Sequence, residues 1–289
     1  MTKLVGTLLV ALALTPTGVL ARCFLITSHS PDRVAIIDND GKLLWDCPMN
    51  HPQDAAVLPD GSVVCAVLDG VRRVNRDRQT LWSWKVPEGC QNPVAQPLDG
   101  GRLLVGTEGP CRLLELDAEG QVQRTVQMTS GFQGNHGQFR FCRKTAEGTY
   151  LAPMFADNTV REFDADGRQL WKLDIRGPVS ALRLPDGHTL VGSFEGVTEY
   201  DREHQLVWQF ACSDVPAPDK VSTVTSIVRL RNGNTLFAHY TGDGDKADLL
   251  EVTRDKQVVW RLALPDVTAM AMVQVLDDDQ RPSAEVLAR

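Results

Sequence analysis

Asp164-Ala-Asp-Gly-Arg-Gln-Leu-Trp171, followed closely by Leu184-Pro-Asp-Gly-His-Thr-Leu190, carries the pattern that decides the fold. Each half is an apolar run, a polar turn and a second apolar run, the grammar of a tight β-hairpin. Both halves recur. The first returns as Asp38–Trp45, Asn75–Trp82, Asp201–Trp208 and Thr253–Trp260, and as Asp117–Arg124 with Arg in the Trp position. The second returns around Gly61, Gly101, Gly148 (a weaker copy) and Gly233, at spacings of 40, 47, 39 and 46 residues when Gly187 is included. A degenerate sixth copy begins at Leu276. All six tryptophans fall in the first frame or, for Trp84, two residues beyond it, on the same strand face as Trp82.

Short Val-, Leu- and Thr-rich stretches lie between these turns, and no segment after residue 21 sustains a helical period. Each unit therefore reads as four antiparallel strands: a before the first glycine turn, b after it, c before the second turn and d carrying the Trp. Four strands every 40–50 residues is the repeat of a β-propeller blade. Five blades are expected over residues 51–86, 92–126, 137–173, 179–210 and 223–262. Strand a of the sixth, residues 267–276, is completed by three N-terminal strands at 23–28, 33–38 and 42–46 in the b, c and d frames. The expectation is an all-β, six-bladed propeller over 22–276, closed by its two ends so that no sheet edge is left inside the ring. Residues 277–289 read as a loose tail, with Val286 and Leu287 able to add contacts.

The frame Asp-x-x-Gly-x-x-x-Trp, repeated with Leu-Pro-Asp-Gly-x-Thr-Leu, resembles the quinoprotein-like (PQQ-like) propeller repeat and its arylsulfotransferase-like relatives, common in exported bacterial proteins. The resemblance spans essentially the whole chain after residue 21. It implies that Trp45, Trp82, Trp171, Trp208 and Trp260 dock between neighbouring blades. The PQQ enzymes have eight blades, a longer turn and a vicinal cysteine pair. This chain has none of these, which argues against PQQ, and no cofactor is expected. The arylsulfotransferase-like relatives use a channel His as a transient sulfate acceptor beside basic residues. That resemblance points to His51 or His136 with Arg140 and Arg143.

Composition narrows the partners. A net charge of −7 offers no basic excess for nucleic acid. Residues 1–21 combine Lys3, an apolar run at 4–14 and a Val-Leu-Ala ending, the three parts of a secretory signal peptide. The apolar run is shorter than the roughly 20 residues a span requires. A secreted or periplasmic, monomeric protein is expected. Seven cysteines follow residue 21, with no C-x-x-C spacing. In an oxidising compartment Cys90 and Cys111, in loops on one face of the disk, are the expected disulfide; Cys47 and Cys212 are alternatives or free thiols.

Strand direction puts the short a–b and c–d turns on one face and the longer b–c and d–a loops on the other. Function concentrates on long loops held by a rigid scaffold. The odd loops start at Cys47, Pro87, Met128, Ala211 and Thr241. Channel-mouth candidates are His51, Asp54, His136 and Arg140 for acid–base chemistry, with His51 and His136 also candidate metal ligands, since imidazole titrates near neutrality and is the commonest metal ligand. Gln53, Asn92, Gln138, His29 and His239 are candidate ligand contacts. The expected role is a binding module for an extracytoplasmic polymer, protein or small ligand. Two alternatives stand beside it: an extracytoplasmic hydrolase, lyase or sulfotransferase using the His/Asp/Arg cluster, and a structural subunit of an envelope complex.

Overall fold

The computed structural model describes residues 22–215, 221–240, 247–264, 267 and 269–289. They form six antiparallel sheets arranged as a six-bladed propeller. The innermost strands of blades one to five are Ala55–Val57, Ala95–Pro97, Arg143–Lys144, Ser180–Arg183 and Thr223–Leu230. In blade six the inner strand is Ala269–Asp277. It pairs with Arg22–Ser30, which pairs in turn with Asp32–Asp38 and Leu43–Pro48. The ring is therefore closed within one sheet by both parts of the chain, as the repeat predicts.

The polar turn works the same way in every blade. Its opening side chain caps the turn: Asp164 Oδ1 accepts from the amides of Asp166 and Arg168, at 3.0 and 2.9 Å, and Asn75 and Thr253 accept from those of Gln79 and Gln257. The fourth turn residue is left-handed throughout, as Gly41, Gly120 and Gly167 or, against their preference, Arg78, His204 and Lys256. An extra residue on strand d bulges the c–d ladder just after the turn in all six blades. The bulge twists strand d and carries its Trp toward the next blade.

Trp45 Nε1 donates to Arg76 O in the c–d turn of blade one at 2.8 Å, and Trp208 Nε1 to Arg254 O in that of blade five at 2.7 Å. Trp171 stacks on His204 of blade four, and Trp260 on Phe24 of blade six. Arg76 and Arg254 also lie over the rings they receive. The repeat's tryptophans are thus staples between blades, each worth a few kcal/mol of burial.

Beneath the tryptophans runs a belt of buried ion pairs. The strand-c residue paired with the Trp position is Glu115, Glu162, Glu199 and Glu251 in blades two to five. Each reaches a cation of the following blade: Lys144, Arg183, Arg229 and Arg22 respectively. Between blades six and one the two positions are Ile36 and Val57, both buried. Between blades one and two they are Arg73 and Pro97. No pair forms there, and Arg73 turns back to Asp60 and Ser62 of its own blade. A surface groove of about 810 Å3 opens at this mismatched junction.

Strand c of blade four begins at Gly196, φ 119°, where a Cβ would sit 2.1 Å from the Phe210 carbonyl oxygen. Backbone cannot give way as a flexible side chain can. Gly196→Ala is expected to destabilise by about 2–4 kcal/mol, read as a fall in the chemical-denaturation midpoint; an unchanged midpoint would show that the ladder shifts freely.

The tail corrects the sequence expectation. Residues 277–289 are not loose: Val286–Ala288 form a strand that pairs with the end of blade five's inner strand, at Arg229 and Leu230. This adds a fifth strand on the channel side of that sheet. It delivers Arg289 into the channel, where its Nη2 donates to Ala55 O. Periodicity reveals hairpins, and a lone three-residue strand has none to show.

Candidate functional site at the channel mouth

The residues proposed from sequence separate into two places. His29, His51, Gln53, His136 and Arg140 gather at the mouth formed by the d–a and b–c loops. His29 ends the second strand of blade six, His51 lies in the loop from blade six to blade one, and His136 lies in the loop from blade two to blade three. The rings of His29 and His51 stack with centroids 4.2 Å apart. His29 Nε2 donates to Pro52 O at 2.9 Å, and the Gln53 amide lies 3.2 Å from the same nitrogen. Across the mouth, Arg140 Nη2 donates to His136 Nε2 at 3.3 Å, which leaves the proton on Nδ1 to bond Gln91 Oε1 at 2.7 Å. Both ring nitrogens of His136 are thereby engaged by the protein itself.

Glu108 holds Arg140 from below. Its Oε1 accepts from the amides of Gly137 and Phe139 and lies 3.4 Å from Arg140 Nη1. Burial pushes the Glu108 carboxyl up, against the pull of Arg140 and these amides. Burial, and then the charge of Arg140, lower His136. His29 falls furthest, to about 4, first by burial and next by repulsion from His51. Held that low, the His29 ring is neutral at neutral pH, and it shares the mouth with the permanent cation Arg140.

Because His29 is held below its ordinary 6.5, the unfolded chain binds the extra proton between about pH 4 and 6.5. Stability is expected to rise with pH across that window. The His29→Gln variant should show a flatter melting-temperature profile than the parent there; parallel profiles would remove His29 as the cause.

Asp54 is not at the mouth. Its side chain lies inside the channel, 1% exposed, bonded to Arg143 at 2.7 and 3.0 Å and to the Ala95 amide. It is drawn inward because strand a runs along the channel wall and Arg143 faces it from blade three. Asn92 and Gln138 are loop braces: Asn92 bonds Gly70 O and the amides of Val94 and Gly106, and Gln138 bonds Gly109 and Phe132. His239 is enclosed within blade five, 3% exposed. Residues 216–220 and 241–246 of the candidate loops lie outside the described residues.

The expected Cys90–Cys111 bridge is not formed: all seven cysteines are free. Cys111 packs inward with Val126, Met128 and Cys142, where burial raises its thiol to about 12. Cys90 stays at the rim beside Gly109. Among the described residues no three His, Cys, Asp or Glu side chains converge as a metal site.

Sequence reasoning missed an aromatic strip. Phe155 and Phe194 occupy equivalent b–c loops of blades three and four, in edge contact at 5.6 Å. Arg140 lies over Phe155 and Arg176 over Phe194. The available signal was a Phe just after strand b in two successive blades. The pocket between Gln53, Gln91, Asn92, Glu108, His136 and Arg140 encloses only about 10 Å3, room for about one water. A ligand can lie across this mouth but not enter it.

No family model and no curated protein matches the chain. Solved structures do resemble it. A protein of unknown function from Bacteroides caccae superposes with a TM-score of 0.79 at 24% identity, covering 88% of this chain and 98% of that one. A catalytically inactive histidine-to-alanine virginiamycin B lyase from Staphylococcus aureus, with quinupristin, gives 0.59 at 11% identity over 92% and 95%. BBS1N in complex with ARL6DN gives 0.55 at 13% identity over 89% of each chain. At these identities the likeness is one of fold: a six-bladed β-propeller.

Proposed function

We propose that this is an exported propeller that binds an extended ligand, a polymer or a protein segment, across the mouth face. The observation that carries this reading is a shallow mouth floored by Arg140 and continued by the Phe155–Phe194 strip. Flat aromatic faces flanked by guanidinium groups suit a chain of sugar or peptide units, which presents apolar faces and acceptor oxygens in turn. Two of the neighbours are seen with quinupristin and with ARL6DN, a compound and a protein, and propellers accommodate both kinds of partner. The arrangement favours binding over hydrolysis or elimination. His136 has no free nitrogen to act as base, and Asp54 is withdrawn into the channel with Arg143. Export rests on the N-terminal pattern, and the PQQ-like repeat resemblance agrees with it.

The test is retention of the secreted protein on a panel of immobilised cell-envelope glycans and peptides. One class of panel member should retain the parent, and Phe194→Ala combined with His51→Ala should weaken that retention at least tenfold while His188→Ala leaves it unchanged. Equal retention of parent and double variant, or no retention of either, would overturn the reading. A mature N-terminus at Arg22 by mass spectrometry is the matching expectation for export.

A further inference from the structure

The channel interior, beyond the mouth, holds two guanidinium side chains beside one carboxylate side chain. A cavity of about 310 Å3 lies between Asp54, Gln96, Arg143, Gln274 and Arg289, walled by the inner strands of blades one, two, three and six. Three of these groups are charged: two guanidiniums and one carboxylate. Asp54 is taken by Arg143 in a two-bond clamp, and Arg289 stands 3.9 Å from the same carboxylate. Arg289 spends Nη2 on Ala55 O and has no hydrogen-bond partner at Nε or Nη1 among the described residues.

A second observation points the same way. Gln274 is 6% exposed and lines this cavity. Its Oε1 accepts from the Val57 amide at 2.9 Å, but its Nε2 donates to no partner among the described residues. An amide donor and the unused edge of a guanidinium thus line one cavity that opens to solvent. Gln96, by contrast, is saturated at both ends by the backbone of Lys144.

We propose that the channel holds one small oxyanion, a carboxylate or phosphate, between Arg289 and Gln274. Arg143 adds long-range attraction without direct bonding, since Asp54 occupies it. The bound anion accepts from the free edge of Arg289 and from Gln274 Nε2, and ties the tail strand Val286–Ala288 to the channel wall. The site lies apart from the mouth residues, so its failure would leave the mouth reading untouched.

The experiment is thermal melting of the full secreted protein in chloride buffer, with inorganic phosphate or malonate added at constant ionic strength. Either anion should raise Tm saturably, by about 5 °C at a hundredfold excess over its Kd. Arg289→Gln should abolish the rise while keeping the parent's circular dichroism. Gln274→Glu places a carboxylate where the anion sits and keeps the Val57 bond. It should melt in chloride no lower than the parent, and phosphate should no longer raise its Tm. A Tm insensitive to both anions would mean that the charge is balanced within the chain, and would overturn the proposal. So would an equal response in Arg289→Gln, which would mark a general salt effect.

Discussion

Glu199→Gln is expected to lower the melting temperature by about 10 °C, although the new side chain has nearly the same shape. Glu199 accepts from His188 Nδ1 at 2.9 Å, from Arg229 Nη2 at 2.7 Å and from Arg254. Arg229, 6% exposed at its side chain, has no other carboxylate in contact among the described residues. Removing one partner of a buried pair costs about 3–5 kcal/mol, because the other charge stays buried without compensation. In a domain of this size each kcal/mol moves Tm by about 2–4 °C. Burial works against the Glu199 charge, but the His188 bond and the charges of Arg229 and Arg254 outweigh it and hold the carboxyl below its ordinary 4.5. The sign of the pH dependence follows. The stabilisation is complete above the unfolded carboxylate range and is lost as pH falls through the lower folded value. Parent and variant should therefore converge on acidification. Melting both between pH 3 and 8 checks this; a gap under about 1 kcal/mol at neutral pH, or one independent of pH, would refute the belt as a source of stability.

The second large effect is at Asp54. Asp54→Asn preserves the acceptor for the Ala95 amide but leaves Arg143 and Arg289 facing each other with no carboxylate between them. A loss of about 3–5 kcal/mol is expected, measured by urea unfolding with an unchanged slope. Phosphate should recover more stability in this variant than in the parent, because two cations now compete for it. If Asp54→Asn is nearly neutral, solvent reaches the channel more freely than its 1% exposure allows.

How much of this was legible in the sequence differs from residue to residue. The turn glycines and Trp45, Trp82, Trp171, Trp208 and Trp260 state the blade, because a bulged hairpin needs a left-handed residue at a fixed place. The belt was also legible, though in a quieter form: Glu115, Glu162, Glu199 and Glu251 each stand two residues before the turn. The period that identifies them is the blade, not the strand. Asp54 was misplaced for a physical reason. It lies just before the three-residue strand Ala55–Val57, where one step along the chain separates the rim from the interior. Arg289 was hidden altogether, since its partners Ala55 and Asp54 are more than 230 residues away and belong to no repeat. The mouth histidines were visible as a set, but the burial that lowers His29, and its stacking against His51, are expressed by no spacing.

Blade six has a kinetic consequence. Arg22 and Glu285, 263 residues apart, meet across its junction with blade five, and its inner strand is synthesised after every other blade is complete. The first three strands to emerge must therefore wait, with one edge unsatisfied, for the end of translation. Contacts of such long range slow folding. Until the last strand arrives, the half-built sheet is open to any strand that comes near, so a chaperone that covers Arg22–Ser30 would govern the yield of folded protein more than any single core residue.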